Sequence, residues 1–325
     1  MRKLLTTQKV LELYPSLPTS IRTLLSSSSI IEQLSGHINT VLLIDDTYVL
    51  RTKKIHQYDF DDIGGCENFK ATIDHIDTYN FKEHPNHIIL EAVASTDGKT
   101  TEHLLYKKNP GVTFDIYRQT HSNTEMVHIV LQIAQLISKL HHIQAPHYGF
   151  FKGQQFNTWT DFILYWIDKQ SVYIKKNKTL TDAEIAQVKS IFNKYIKVLT
   201  LSHPSVIHMD LNSTNFLISP EHKKVECIVD WDNARGGDPV ADVSYMLERV
   251  SNGEGFSEFA PVLLKEYMRV SETANPDEFM LKYKLYSLFY AFKLLPVHAT
   301  HASYQNESTL DLSRYVRKMI SSFTL

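Results

Sequence analysis

Two short apolar runs late in the chain, FLIS at Phe216 to Ser219 and VECIV at Val225 to Val229, stand on either side of a turn-forming stretch, Pro220 to Lys224. Runs of this length around a turn pair as an antiparallel hairpin, and a hairpin brings the residues beyond its two open ends side by side. Asn215 precedes the first run and Asp230 follows the second. An amide and a carboxylate are thereby expected within a few ångströms of each other. Asp210 and His208 lie just upstream on the same loop.

An amide oxygen beside a carboxylate is a hard, oxygen-rich pair suited to Mg²⁺. A carboxylate across the same site can accept the proton of an incoming hydroxyl and turn its oxygen toward a metal-bound phosphate. The spacing His-x-Asp-x-x-x-x-Asn, followed by an Asp after a strand pair, is the arrangement that kinase-type phosphoryl transfer uses. Taken singly, His208 reads as a structural histidine and Asp230 as a turn or cap residue. Together, with the hairpin between them, they point to Asp210 as base, Asn215 and Asp230 as metal ligands, and His208 as a brace for the loop. Asp238 and Pro239 then form a helix start, N-cap and first helical position, and the helix presents Asp242 one turn in.

The segments HMDLNSTN and IVDWDNARGGDPVADVSYM resemble the family of aminoglycoside phosphotransferases, choline kinases, fructosamine kinases and their relatives. The family usually reads H-G-D-x-x-x-x-N, then an I-D-W-E/D segment and G-D-P-x-x-D. The resemblance implies an α+β, protein-kinase-like fold of two lobes. The N-terminal lobe, residues 1–108, would carry an antiparallel sheet with a helix and bind ATP or GTP. The mainly helical C-terminal lobe, residues 109–325, would hold the catalytic groups and a small-molecule hydroxyl substrate. It also implies Asp210 as catalytic base, Asn215 and Asp230 as Mg²⁺ ligands, Trp231 where protein kinases have the Phe of Asp-Phe-Gly, and Asp242 as a steadying contact for the catalytic loop. No Asp-Phe-Gly or Ala-Pro-Glu with an activation loop follows, which sets the chain apart from protein kinases. Met209 replaces the usual glycine, and Asn212-Ser213-Thr214 the common His-Pro-Gly.

Upstream, Thr7 to Leu13 and Thr19 to Leu25 read as short helices broken at Tyr14-Pro15 and closed by four serines. The runs SIIEQL, TVLLI and TYVLRT read as strands, with a turn at Asp45-Asp46. Phe69, Ile73 and Ile76 share one helical face within Glu67 to Ile76. HIILEAVAS and EHLLYKK are two further strands, and Asn109-Pro110-Gly111 ends the lobe. On the resemblance, the loop around Ser35, Gly36 and Asn39 takes the place of the phosphate-covering loop. Arg51 takes that of the lysine that pairs with the α- and β-phosphates, Glu67 is its ion-pair partner, and the backbone from Leu105 to Lys107 faces the purine.

Beyond the boundary, apolar residues from Met126 to Ile143 recur with a 3.6-residue period, the mark of a core helix. Residues 155–200 read as two helices around a basic loop KKNK, and the chain from Val240 onward as helical except near Ser251 to Gly255. Trp159, Phe162, Tyr165 and Trp166 read as helical core packing, and His141 and His142 as packing rather than catalytic groups.

The chain of 325 residues is 43% apolar and 22% charged, with formal charge -2. Such a balance gathers neither nucleic acid nor an anionic membrane surface. Its two cysteines, Cys66 and Cys227, are too far apart and too isolated for a disulfide framework or a zinc site. Lys9, Glu12 and Pro15 interrupt the start before a signal-length apolar stretch develops, so a cytoplasmic location is the default expectation. Asp161, Asp168, Glu248, Glu254 and Glu258 are scattered among bases, which weakens a polycationic acceptor. Two other readings use the same residues: a metal-dependent phosphoesterase built on His208, Asp210 and Asp230, and a nucleotide-binding pseudokinase with a regulatory role. The acceptor and the oligomeric state stay open.

Overall fold

The computed structural model describes residues 3–15, 17–28, 30–34, 39–53, 64–94, 100–248, 255–300 and 307–324. The N-terminal lobe runs β1 (Lys3–Leu5), α1 (Thr7–Leu13), α2 (Thr19–Ser26), β2 (Ile31–Leu34), β3 (Asn39–Ile44), β4 (Tyr48–Lys53), α3 (Cys66–Asp77), β5 (Asn86–Ala94) and β6 (Thr100–Lys107). Its strands form one six-stranded sheet in the order β1-β2-β3-β4-β6-β5, antiparallel at every pairing. The β3–β4 turn passes through Asp45 and Asp46, both at positive φ (49° and 53°). That is the backbone a tight hairpin turn requires, and Asp tolerates it better than most side chains.

Alternation along the strands gives this sheet two different faces. Leu42, Ile44, Leu50 and Leu105 point to one side, where they pack with Val10, Leu17, Ile21 and Leu25 from the α1–α2 segment. Leu104 and Tyr106, on the opposite side, pack with Phe69, Ile73 and Ile76 of α3. Arg51, next to Leu50, shares the α3 face, with its guanidinium 5.7 Å from the Phe69 ring centroid.

The C-terminal lobe continues through β7 (Val112–Thr113), α4 (Phe114–Arg118), α5 (Asn123–His141), β8 (Tyr148–Phe150), β9 (Gln155–Phe156), α6 (Trp159–Asn177) and α7 (Asp182–Lys194). It closes with β10 (Ser205–Ile207), β11 (Phe216–Ser219), β12 (Lys224–Ile228), β13 (Arg235–Gly237), α8 (Pro239–Glu248), α9 (Ala260–Val270), α10 (Pro276–Thr300) and α11 (Glu307–Thr324). Helices α5, α6 and α7 each open on a capping box, Ser122/Glu125, Thr158/Asp161 and Thr181/Glu184. Each box satisfies two otherwise orphaned backbone N–H groups reciprocally. α5 buries Met126, Ile129, Val130, Ile133, Ile137 and Leu140, the face its periodicity marks. The KKNK segment, expected as a loop, instead forms the last turn of α6 and its left-handed cap at Lys178.

Two small sheets, β10-β13-β8-β9 and β12-β11-β7, carry the loops between the helices. One apolar cluster runs from α3 and β6 through α5, β11 and β12 to α8, α9 and α10. Helix α3 therefore packs against the C-terminal lobe as well as the sheet. Among the described residues no helix is long and apolar enough to cross a membrane.

Candidate active site

The β11–β12 hairpin positions the first two site residues. Phe216 pairs with Ile228, and beyond that pair Val229 N–H donates to the Asn215 carbonyl at 2.9 Å. Asn215 and Asp230 are thereby held at adjacent ends of the two strands. The Asn215 amide nitrogen donates to the Asp210 carbonyl oxygen at 2.9 Å and to its Oδ2 at 3.4 Å. Among the described residues its amide oxygen meets only a long 3.5 Å contact from Thr214 Oγ1. Asp230 sits at φ 72°, followed by the single turn Trp231–Asn233. Trp231 anchors that turn: its indole is fully buried, donates from Nε1 to Ile228 O at 2.7 Å, and meets the His208 ring edge-on at 4.7 Å.

A buried carboxylate organises the loop before Asn215. Asp242 accepts the backbone N–H groups of His208 and Met209, each at 2.6 Å, and the His141 Nε2–H at 3.2 Å. His141 is braced in turn by Tyr267 Oη, 2.7 Å from its Nδ1. Three donors on one fully buried carboxylate satisfy the charge that burial would otherwise penalise. His208 donates from Nε2 to Val229 O at 3.0 Å, and its Nδ1 accepts the Asp210 N–H at 3.3 Å. Both ring nitrogens are thus used by the neutral imidazole. Burial pushes the His208 pKa below its usual value, and the opposing charges of Asp242 and Asp230 do not restore it.

Asp210, half-buried, accepts Tyr245 Oη–H at 3.1 Å and the Asn212 amide at 3.2 Å on Oδ1. Tyr245 stacks edge-on against Tyr290, whose hydroxyl donates to Met209 Sδ at 3.0 Å. Met209 takes φ 64°. That left-handed backbone explains why a glycine usually stands there in the resembling family.

From the other lobe, Arg51 Nη2 donates to Asp230 Oδ1 at 2.7 Å and to Asp232 Oδ2 at 2.8 Å. Burial opposes the guanidinium charge, but the Asp230 and Asp232 carboxylates outweigh it and hold the Arg51 pKa well above its ordinary value. The expected Arg51–Glu67 pair is corrected on this point. Glu67 lies exposed on the first turn of α3, and the residue facing inward is the buried Asn68. Its amide donates to Asp232 O at 2.9 Å and Ala234 O at 2.8 Å, tying α3 to the turn after Asp230.

The purine-facing expectation is also corrected at Leu105. This residue lies on an inner strand between Leu50 of β4 and Ile89 of β5, so the ladders take up its backbone groups. Lys107 is the last residue of that strand, and the chain leaves the sheet after it. Ser35 and Gly36 lie outside the described residues; Asn39 opens β3, and its side chain lies outside them too.

Among the described residues, no group of three His, Cys, Asp or Glu side chains is arranged to hold a metal ion. The donors at the hairpin's end, one carboxylate and one amide oxygen, fit instead the habit of Mg²⁺, which takes one or two protein ligands and completes its shell with phosphate oxygens and water. Sequence reasoning missed Asp232, Asn68, Asn212 and Tyr245. Asp232 stands at the last position of the I-D-W-E/D pattern, the one signal that marked it. Tyr245 carried none, because its contact depends on where α8 crosses the loop.

Three comparisons bear on this arrangement. The family model described as "Phosphotransferase enzyme family" matches residues 30–280. No curated protein matches the sequence. Among solved structures, a thermostable mutant of aminoglycoside phosphotransferase APH(4)-Ia is similar at TM-score 0.67 and 15% identity, over 97% of this chain and 98% of that one. The streptomycin-ATP-APH(2")-IIa ternary complex is similar at TM-score 0.59 and 17% identity, over 97% and 96%. The ADP-bound aminoglycoside phosphotransferase APH(2'')-Ib follows at TM-score 0.57 and 18% identity, over 94% and 97%.

Proposed function

The chain belongs to the phosphotransferase enzyme family, and on that premise we propose that it transfers the γ-phosphoryl group of ATP to a hydroxyl of a small molecule, with Asp210 as the catalytic base. The observation that carries this reading is the convergence of Asp210, Asn215 and Asp230 at one end of the β11–β12 hairpin, with the Asn215 amide nitrogen committed to Asp210 and its oxygen turned to other use.

The acceptor hydroxyl docks against the Asp210 carboxylate, which takes its proton as the new oxygen–phosphorus bond forms and the bond to the leaving ADP breaks. Tyr245 and Asn212, both donating to Oδ1, fix the plane of that carboxylate before the acceptor arrives. Asn215 and Asp230 would hold Mg²⁺, which supplies charge neutralisation at the phosphate oxygens when bound. Arg51 is the cation already at that position, and its fork of donors suits phosphate oxygens as well as carboxylates. The purine meets the backbone that leaves the sheet after Lys107. His208, Asp242 and His141 act through the loop and are positioning residues.

ATP as donor is supported by the ATP and ADP complexes of the similar structures, and an acceptor of small-molecule size by the streptomycin in one of them. The test is Mg-ATP consumption across sugars, amino sugars, amino alcohols, nucleosides and aminoglycosides, run beside Asp210→Asn. Transfer to at least one acceptor is expected, with kcat lowered at least about a hundredfold in the variant, the share general-base catalysis supplies. Transfer that survives Asp210→Asn, or ATP that binds without being consumed with any acceptor, overturns it. Phosphate release from esters without nucleotide would favour the phosphoesterase reading instead.

A further inference from the structure

Arg51 meets two carboxylates that differ in exposure. Both contacts fall on Nη2, 2.7 Å from Asp230 Oδ1 and 2.8 Å from Asp232 Oδ2, and the side chains of Asp230 and Asp232 are 40% and 4% exposed. Asp230, held beside Asn215 at the hairpin's end, is the acid that solvent and a metal ion can reach. Asp232 is closed off from both. Its backbone is also fixed by α3 and the residues before it: Asn68 Nδ2 donates to the Asp232 carbonyl oxygen at 2.9 Å, and a Cβ added at Gly64 would strike the same oxygen.

Two cations have a claim on Asp230. Arg51 Nη2 occupies its Oδ1, and a metal at the hairpin's end would take an oxygen of the same group. A carboxylate already neutralised by a guanidinium attracts a metal ion less. Asp232 changes that balance. With this second acid beside it, the guanidinium keeps a counter-charge when Asp230 turns away, and it stays in place instead of following Asp230. Arg51 Nε has no acceptor among the described residues, so the fork keeps a donor for phosphate oxygens. The pairing expected of Glu67 on α3 thus falls to an acid on the same turn as the metal ligand.

We propose that Asp232 is a positioning residue for the metal–nucleotide complex: by holding Arg51 it lets Asp230 exchange the guanidinium for Mg²⁺. This rests on the phosphotransferase reading and adds a residue to the same site. Asp232 acts through Arg51 and touches neither the phosphates nor the metal.

ADP titrated calorimetrically into the full chain, once with Mg²⁺ and once with EDTA, tests this. The ratio of the two dissociation constants measures how far the metal strengthens binding. Asp232→Asn should shrink that ratio at least about tenfold, the worth of one charge-assisted contact, because Arg51 then holds Asp230 alone. The metal-free affinity should hold or rise, since a negative charge near the phosphates is gone. Asp232→Glu, which keeps the charge, should restore much of the ratio. A purely structural role would weaken both titrations alike, and an unchanged ratio in Asp232→Asn overturns the proposal. So does a folded Asp232→Glu no better than Asp232→Asn. Arg51→Met separates action through the arginine from direct metal binding. In that background Asp232→Asn should change the ratio less than about threefold, because coupled residues lose their effect together. A second tenfold loss there would make Asp232 a metal ligand and overturn the proposal. Circular dichroism and melting temperature identify variants that fail to fold, and Asp232→Ser and Arg51→Gln then take their places. Transfer assays keep the two readings apart: phosphoryl transfer that survives Asp210→Asn defeats the kinase reading whatever the ratio, and an unchanged ratio with Asp210-dependent transfer defeats only the role of Asp232.

Discussion

Met209 shows how much one backbone angle can decide. At φ 64° a residue with a Cβ gives up roughly 1 kcal/mol that glycine would not. The chain keeps a methionine there, and its buried side chain receives the Tyr290 hydroxyl. Met209→Ala should lose about 2–3 kcal/mol, because it removes the packing and keeps the strain. Met209→Gly removes the same packing and also relieves the strain, so it should be about 1 kcal/mol more stable than the alanine variant. Glycine usually ranks below alanine, which makes the order diagnostic. Urea midpoints at constant slope measure it, and a glycine variant weaker than the alanine one would show that the left-handed backbone costs nothing here. The sequence marks Met209 as a departure from a familiar pattern. The angle that makes the departure costly belongs to Met209 itself, and the tyrosine that compensates it comes from α10, some eighty residues away; no local pattern carries either.

At the level of elements, legibility follows length. α5 and α6 span several turns with a sustained apolar face and capping residues at their starts, so periodicity finds them. The β11–β12 hairpin is legible because a turn separates two apolar runs. Strands of two or three residues such as β7, β8, β9, β10 and β13 are too short for any period, and they exist because neighbouring segments pair with them. β13, the Arg235-Gly236-Gly237 of the motif, lies between β10 and β8. A Cβ added at Gly236 would run into the His147 carbonyl oxygen. That obstacle is backbone and cannot rotate away. Gly236→Ala should therefore cost at least about 2 kcal/mol by overpacking. It should also lower kcat, since β13 links the Asp230 turn to α8 and its Asp242. Thermal unfolding together with turnover checks this; a variant with unchanged melting temperature would mean that β13 shifts freely.

Over the whole molecule, the sequence breaks regular structure at Asn109-Pro110-Gly111, but a break in pattern is not a break in cooperativity. The main apolar cluster crosses from α3 and β6 into the helices of the C-terminal lobe, and Asn68 and Arg51 fasten the same side of the sheet to the turn after Asp230. The smaller cluster under α1 and α2 packs on the opposite face of that one sheet. Calorimetry should therefore record a single transition whose van't Hoff and calorimetric enthalpies agree. Arg51→Met tests the polar part of the fastening. The side chain of Asp232 is only 4% exposed against 40% for Asp230, so the loss falls mainly on Asp232, which stays buried and loses the Arg51 contact. Removing one member of such a pair costs about 3–5 kcal/mol. If the charge left behind is the cause, Arg51→Met combined with Asp232→Asn should recover part of that loss, although two contacts are now gone rather than one. A double variant less stable than Arg51→Met would assign the loss to the arginine's packing on Phe69 instead. Two separated transitions in the unmodified protein would show that the lobes are held together by less than this core and these contacts imply.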